Sequence, residues 1–72
     1  MQKLPAISSD ELIRILANYG YFVDHVKGSH FVLISQDKGR LVVPRRKVLP
    51  KGTLLAILRQ AKISRETLQE NL

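Results

Sequence analysis

His25 and His30 are the chain's two histidines, the side chains whose unperturbed titration lies near neutrality. Brought together across a hairpin, two imidazoles can serve one phosphodiester as base and acid. One takes the proton of a ribose 2′-OH and the other protonates the leaving 5′ oxygen. Lysine or arginine beside them would stabilise the extra negative charge on a pentacoordinate phosphorus. The scheme needs neither metal nor thiolate, and it selects RNA because DNA lacks the attacking hydroxyl. His30 is the candidate catalytic residue and His25 the possible second acid/base. A strand histidine with no catalytic duty fits the same two positions.

The residues around His30 add to this. Gly28 allows a backbone to approach a phosphate closely, and Ser29 offers a hydroxyl and an N–H as donors. The same pair also reads as a plain turn. Lys27, the run Arg45-Arg46-Lys47 and Lys51 are candidate phosphate contacts, which give affinity and register but little sequence information. A solvated loop has the same composition. The RNA-binding candidates are therefore Lys27, Gly28, Ser29, Arg45, Arg46, Lys47 and Lys51. Lys51-Gly52-Thr53 would open a helix with free N–H groups but is no P-loop, since the G-x-x-x-x-G-K frame is missing. Two histidines with no cysteine make a poor zinc site, and no G-x-S-x-G elbow occurs. No metal and no small-molecule cofactor is expected.

Positioning these groups requires a small α+β framework. Ser8 and Glu11 have the spacing of a capping box, with Ile7 and Leu12 at staple positions. Leu12, Ile13, Ile15, Leu16 and Tyr19 then recur at helical spacing, and Gly20 ends the helix. Tyr21–Lys27, His30–Ser35 and Arg40–Pro44 read as three strands of an antiparallel meander, joined by Lys27-Gly28 and by Gln36-Asp37-Lys38-Gly39. A second helix runs from Pro50 or Thr53 to Ala61 with Leu54, Leu55, Ile57 and Leu58 buried. Ser64 caps a short third helix, with Ile63 and Leu68 at staple spacing and Glu66 at its positive end. The order is α-β-β-β-α plus a terminal helical turn, with helices on one sheet face.

A two-residue turn at Lys27-Gly28 sets His25 opposite His30. One face then carries Tyr21, Val23, His25, His30, Val32 and Ile34, joined by Leu41 and Val43. This more continuous apolar set is assigned to the core, with both histidines at one end. The other face carries Phe22, Asp24, Val26, Phe31, Leu33, Arg40 and Val42, and a one-residue slip would exchange the two. If exposed, Phe22, Phe31 and Leu33 would form a patch for a protein partner.

Seventy-two residues make one domain, 1–72, too small for dinucleotide-binding halves or a barrel. The net charge is +6, and residues 27 to 62 alone hold nine basic side chains against one acid, Asp37. That bias points to a polyanion: nucleic acid, an anionic membrane surface or an acidic protein. The longest apolar run is five residues, Leu54 to Leu58, so neither a signal peptide nor a membrane span is expected and the default location is the cytoplasm.

Gly20-Tyr21, Lys27-Gly28-Ser29-His30, Val42-Val43-Pro44 and Leu49-Pro50-Lys51-Gly52-Thr53-Leu54 with Ile57-Leu58-Arg59-Gln60-Ala61 together resemble the HicA family of toxins. The likeness runs from about Ser8 to Leu68. It implies a double-stranded-RNA-binding-domain-like fold and the toxin of a type II toxin–antitoxin system. It further implies an mRNA interferase that cleaves without requiring the ribosome, and a HicB antitoxin covering the active site. In that family the histidine of the G-S-H motif is catalytic, here His30, with Gly28 and Ser29 matching the positions before it. Two positions depart. Family members often carry Arg three residues before the motif's Gly, where this chain has His25. Many carry His two positions after the Pro of the V-P step, where this chain has Arg46, a permanent cation suited to phosphate rather than to proton transfer. The charge and fold also fit a non-catalytic RNA- or DNA-binding module, or a subunit whose basic face meets an acidic partner.

Overall fold

Ser8 turns the chain into its first helix through a reciprocal exchange. Its Oγ accepts the Glu11 N–H at 3.1 Å, and Glu11 Oε1 accepts the Ser8 N–H at 3.1 Å. The computed structural model describes residues 3–72, and α1 occupies Ser9–Ala17. Ile7 is buried beside Leu12, Ile15 and Leu16, as the staple and the apolar stripe require. The helix is capped at Asn18, and Gly20 at φ +91° swings the chain into the sheet.

Strands β1 (Phe22–Lys27), β2 (His30–Ser35) and β3 (Gly39–Pro44) form one antiparallel sheet in the order β1-β2-β3. The first turn is Gly28-Ser29, one residue later than the sequence reading. Gly28 alone has positive φ, +59°, which is the type II′ pattern. Lys27 therefore pairs with His30, and His25 pairs with Val32 rather than with His30. Asp24 is the extra residue of a β-bulge between Val23 and His25, which pair with Leu33 and Val32.

The core face also differs from the expectation. Ser35 pairs with Gly39, so the second turn centres on Asp37 and sets Leu33 against Leu41 and Phe31 against Val43. A turn centred between Asp37 and Lys38 would have set Ile34 against Leu41. That one-residue difference turns Phe31 and Leu33 toward the helices and His30, Val32 and Ile34 away from them. Leu33, Leu41, Val43 and Tyr21 are buried in the core, whereas His25 and His30 are exposed. Val32 is also buried although it faces away from the helices. It is a middle residue of the central strand, between its cross-strand partners His25 and Val42. Of the apolar patch expected from Phe22, Phe31 and Leu33 only Phe22 is exposed; Phe31 is half-buried and Leu33 fully buried.

Helix α2 (Lys51–Ala61) buries Leu54, Ile57, Leu58 and Ala61, and Lys62 closes it in the left-handed region at φ +58°. Helix α3 (Arg65–Glu70) starts where Ser64 Oγ accepts the Thr67 N–H at 3.0 Å, and it buries Leu68. The fold is the α+β, double-stranded-RNA-binding-domain-like arrangement, with helices packed on a three-stranded antiparallel sheet. Among the described residues every buried side-chain nitrogen and oxygen has a hydrogen-bond partner, and no helix is long and apolar enough to cross a membrane.

Candidate nucleic-acid interface

The β1–β2 hairpin positions the titratable groups. Lys27 and His30 stand directly opposite each other beside the turn, so their side chains leave the same sheet face. His25, two residues back along β1, shares that face and is the diagonal neighbour of His30. Diagonal neighbours lie roughly 7–8 Å apart, so the three side chains form a triangle on the face turned away from the helices. All three are exposed. His25 Nδ1 lies 2.7 Å from Asp24 Oδ2, an ion pair when the ring is protonated. Gly28 and Ser29 form the exposed tip, and no other group lies within 4 Å of where a Gly28 Cβ would sit, so a ligand can reach the turn unobstructed.

A second cationic set lies at the same end of the sheet but on its other side. Arg45 follows Pro44, the partner of His30, and its N–H donates to the Ser29 carbonyl at 2.7 Å. Its guanidinium carbon sits 5.1 Å from the centroid of the Phe31 ring, which faces the helices. Arg45, Arg46, Lys47 and Phe31, with Ser8, Ser9 and Asp10 of the α1 start, line an open cleft of about 520 Å³. Three cations against one carboxylate make the cleft attractive to an anion, and the Phe31 ring supplies an apolar wall.

Ser9 holds the cationic loop in place. Its N–H donates to the Arg46 carbonyl at 2.9 Å and its hydroxyl lies 3.2 Å from the same oxygen, while the Arg46 N–H donates to Ser9 Oγ at 3.1 Å. Farther along, the Leu49 N–H donates to the Ile7 carbonyl at 2.8 Å. Ser9 is buried, and the sequence reading missed it. A serine at the first helical position carries no local mark of a contact 37 residues away.

Two further basic residues differ in role. Lys51 opens α2, where Pro50 supplies no side-chain cap, and it is not among the residues lining the cleft. Lys38 is engaged structurally. Its Nζ donates to the carbonyls of Tyr19 and Ala61, each at 3.4 Å, and lies 5.8 and 5.7 Å from the ring centroids of Tyr19 and Tyr21. It ties the β2–β3 turn to the C-terminal ends of both α1 and α2, where a cation also complements the helix dipole. The structure thus brings together His25, Lys27 and His30 on one face, and Arg45, Arg46 and Lys47 on the other. The Arg45–Ser29 bond joins the two sets.

A family model described as HicA toxin of bacterial toxin–antitoxin matches residues 9–63, from the first turn of α1 to just past α2. No match is found among curated proteins.

Proposed function

Because the chain belongs to the HicA toxin family of bacterial toxin–antitoxin systems, we propose that it is an endoribonuclease acting on mRNA, with His30 as general acid or base. Lys27, directly across the hairpin, neutralises the phosphate under attack. Arg45, Arg46 and Lys47 hold flanking phosphates and draw the strand to the hairpin end, and Gly28 and Ser29 let its backbone approach. Lys51 serves as an outlying phosphate contact. His25 is the second titratable group available to the reaction. Two imidazoles and a cation suffice for transesterification, so the reaction proceeds without metal or other cofactor. A HicB-like antitoxin silences the toxin by covering this surface, and the site of action is the cytoplasm.

The single observation that carries this reading is the placement of His30. Its ring stands exposed beside Lys27, at the sheet end that also bears the cationic cleft. The test is incubation of the pure protein with end-labelled single-stranded RNA in EDTA, alongside His30→Ala. The expected products carry 2′,3′-cyclic phosphate ends. His30→Ala is expected to retain RNA binding while cleavage falls by roughly 10²–10⁴-fold. Unchanged cleavage removes His30 from the mechanism. Salt-sensitive RNA binding with no cleavage between pH 5 and 9 leaves a non-catalytic RNA-binding module or antitoxin-interaction subunit.

A further inference from the structure

We propose that Asp24 is a positioning residue that sets the tautomer of His25, making His25 the base that activates the ribose hydroxyl and leaving His30 as the acid. This deepens the ribonuclease reading and rests on it. In a regular strand consecutive side chains point to opposite faces, so residues 24 and 25 could not meet. Here the bulge makes Asp24 an unpaired extra residue between Val23 and His25, and its Oδ2 comes to 2.7 Å from His25 Nδ1. The bulge is therefore what builds the dyad.

The chemistry follows from what each atom can do. An ionised carboxylate only accepts, so Nδ1 of the ring must carry the proton. In the neutral ring that leaves the Nε2 lone pair free, which is the form a base needs. The carboxylate also stabilises the imidazolium that forms when the base takes up a proton. His30 has no comparable partner among the described residues, so nothing holds it in one tautomer. Both side chains of the dyad are close to half exposed, 44% for Asp24 and 48% for His25, and β1 is an edge strand, so a substrate can reach them.

In the reaction the proton of the 2′-OH passes to His25 Nε2 as the 2′ oxygen bonds to phosphorus. The P–O5′ bond breaks, and the leaving oxygen takes a proton from His30. The products are a 2′,3′-cyclic phosphate and a 5′-OH, with both histidines exchanged in protonation state. As diagonal neighbours on one face of the hairpin, the two rings flank a space that one phosphate can enter. Lys27, opposite His30 and two residues from His25, is placed to neutralise the phosphate between them.

The test combines imidazole ¹H–¹⁵N spectra of the neutral ring with single-turnover cleavage for wild type, Asp24→Asn, His25→Ala and the double variant. The expected wild-type tautomer is Nδ1–H. Asp24→Asn should move His25 toward Nε2–H, since an amide can donate to Nδ1, and slow cleavage about tenfold or more with RNA binding unchanged. In the His25→Ala background Asp24→Asn should have no further effect. A wild-type Nε2–H tautomer, full activity of Asp24→Asn, or independent multiplication of the two losses overturns the assignment while the ribonuclease reading stands. Wild-type protein that cleaves no RNA overturns that reading, and this assignment with it.

Discussion

Arg45 illustrates how much one side chain carries at the hairpin end. Its backbone N–H fixes Ser29, its guanidinium lies over Phe31, and its charge faces the cleft. Replacing it with alanine leaves the backbone bond intact and removes the other two. Arg45→Ala is expected to lower the slope of log K against log salt by about 1 for RNA binding. Loss of the ring contact should cost roughly 0.5–1 kcal/mol of stability. Salt titrations of binding and urea unfolding measure the two separately. At this scale the candidate residues were legible from their types, since histidine, glycine and arginine advertise their chemistry. Their partners were not. Nothing in the sequence marks Lys38 as bound to two carbonyls rather than free for phosphate, or Ser9 as the anchor of Arg46.

The three helices were readable because their signals are local. Ser8 and Glu11 sit three residues apart, Ile63 and Leu68 flank the Ser64 cap at staple spacing, and the apolar stripes repeat every three or four residues. The two neighbouring serines of α1 separate two roles. Ser8→Ala breaks the capping box and should cost about 1 kcal/mol, while leaving the Ser9 bonds to the Arg46 backbone in place. Ser9→Ala removes a buried hydroxyl and should cost about 1–3 kcal/mol. It also loosens the loop carrying Arg46 and Lys47, so RNA binding should weaken as well. Thermal melts and binding assays on both variants check this, and equal binding by the two would remove Ser9 from the placement of the cleft. The strands were readable as elements but not in register. Both turns were displaced by a residue or less, and a period of two converts that into a different pairing or a different face.

Across the whole molecule, the core closes around Tyr21, where strand, helix ends and the Lys38 tie converge. Burial pushes the Tyr21 phenol above its ordinary value of 10.0, because the anion is poorly solvated there. The sign follows directly. The folded state prefers the neutral phenol, so this contribution is complete below about pH 10 and is lost as pH rises through the folded value. Stability measured by urea unfolding should therefore fall more steeply above pH 10 in wild type than in Tyr21→Phe. Parallel curves would show that Tyr21 ionisation does not govern alkaline unfolding. The charge is divided at this scale too. His25, Lys27 and His30 face away from the helices, and the Arg45–Lys47 cleft faces toward them. A strand of RNA touching both must pass around the hairpin end.

The sequence by itself determined the helices, the number of strands and the excess of positive charge, and it nominated the candidate reactive side chains, because each depends on residue types and on residues within a few positions of one another. Only the tertiary structure decided which histidine faces which neighbour, that both rings lie in solvent rather than at the end of the core, and that Asp24 meets His25. Those outcomes turn on where each hairpin closes and on a single inserted residue in β1. The closure point depends on how well Phe31, Leu33, Leu41 and Val43 fill the space beneath the helices, a packing condition that no local stretch of sequence contains.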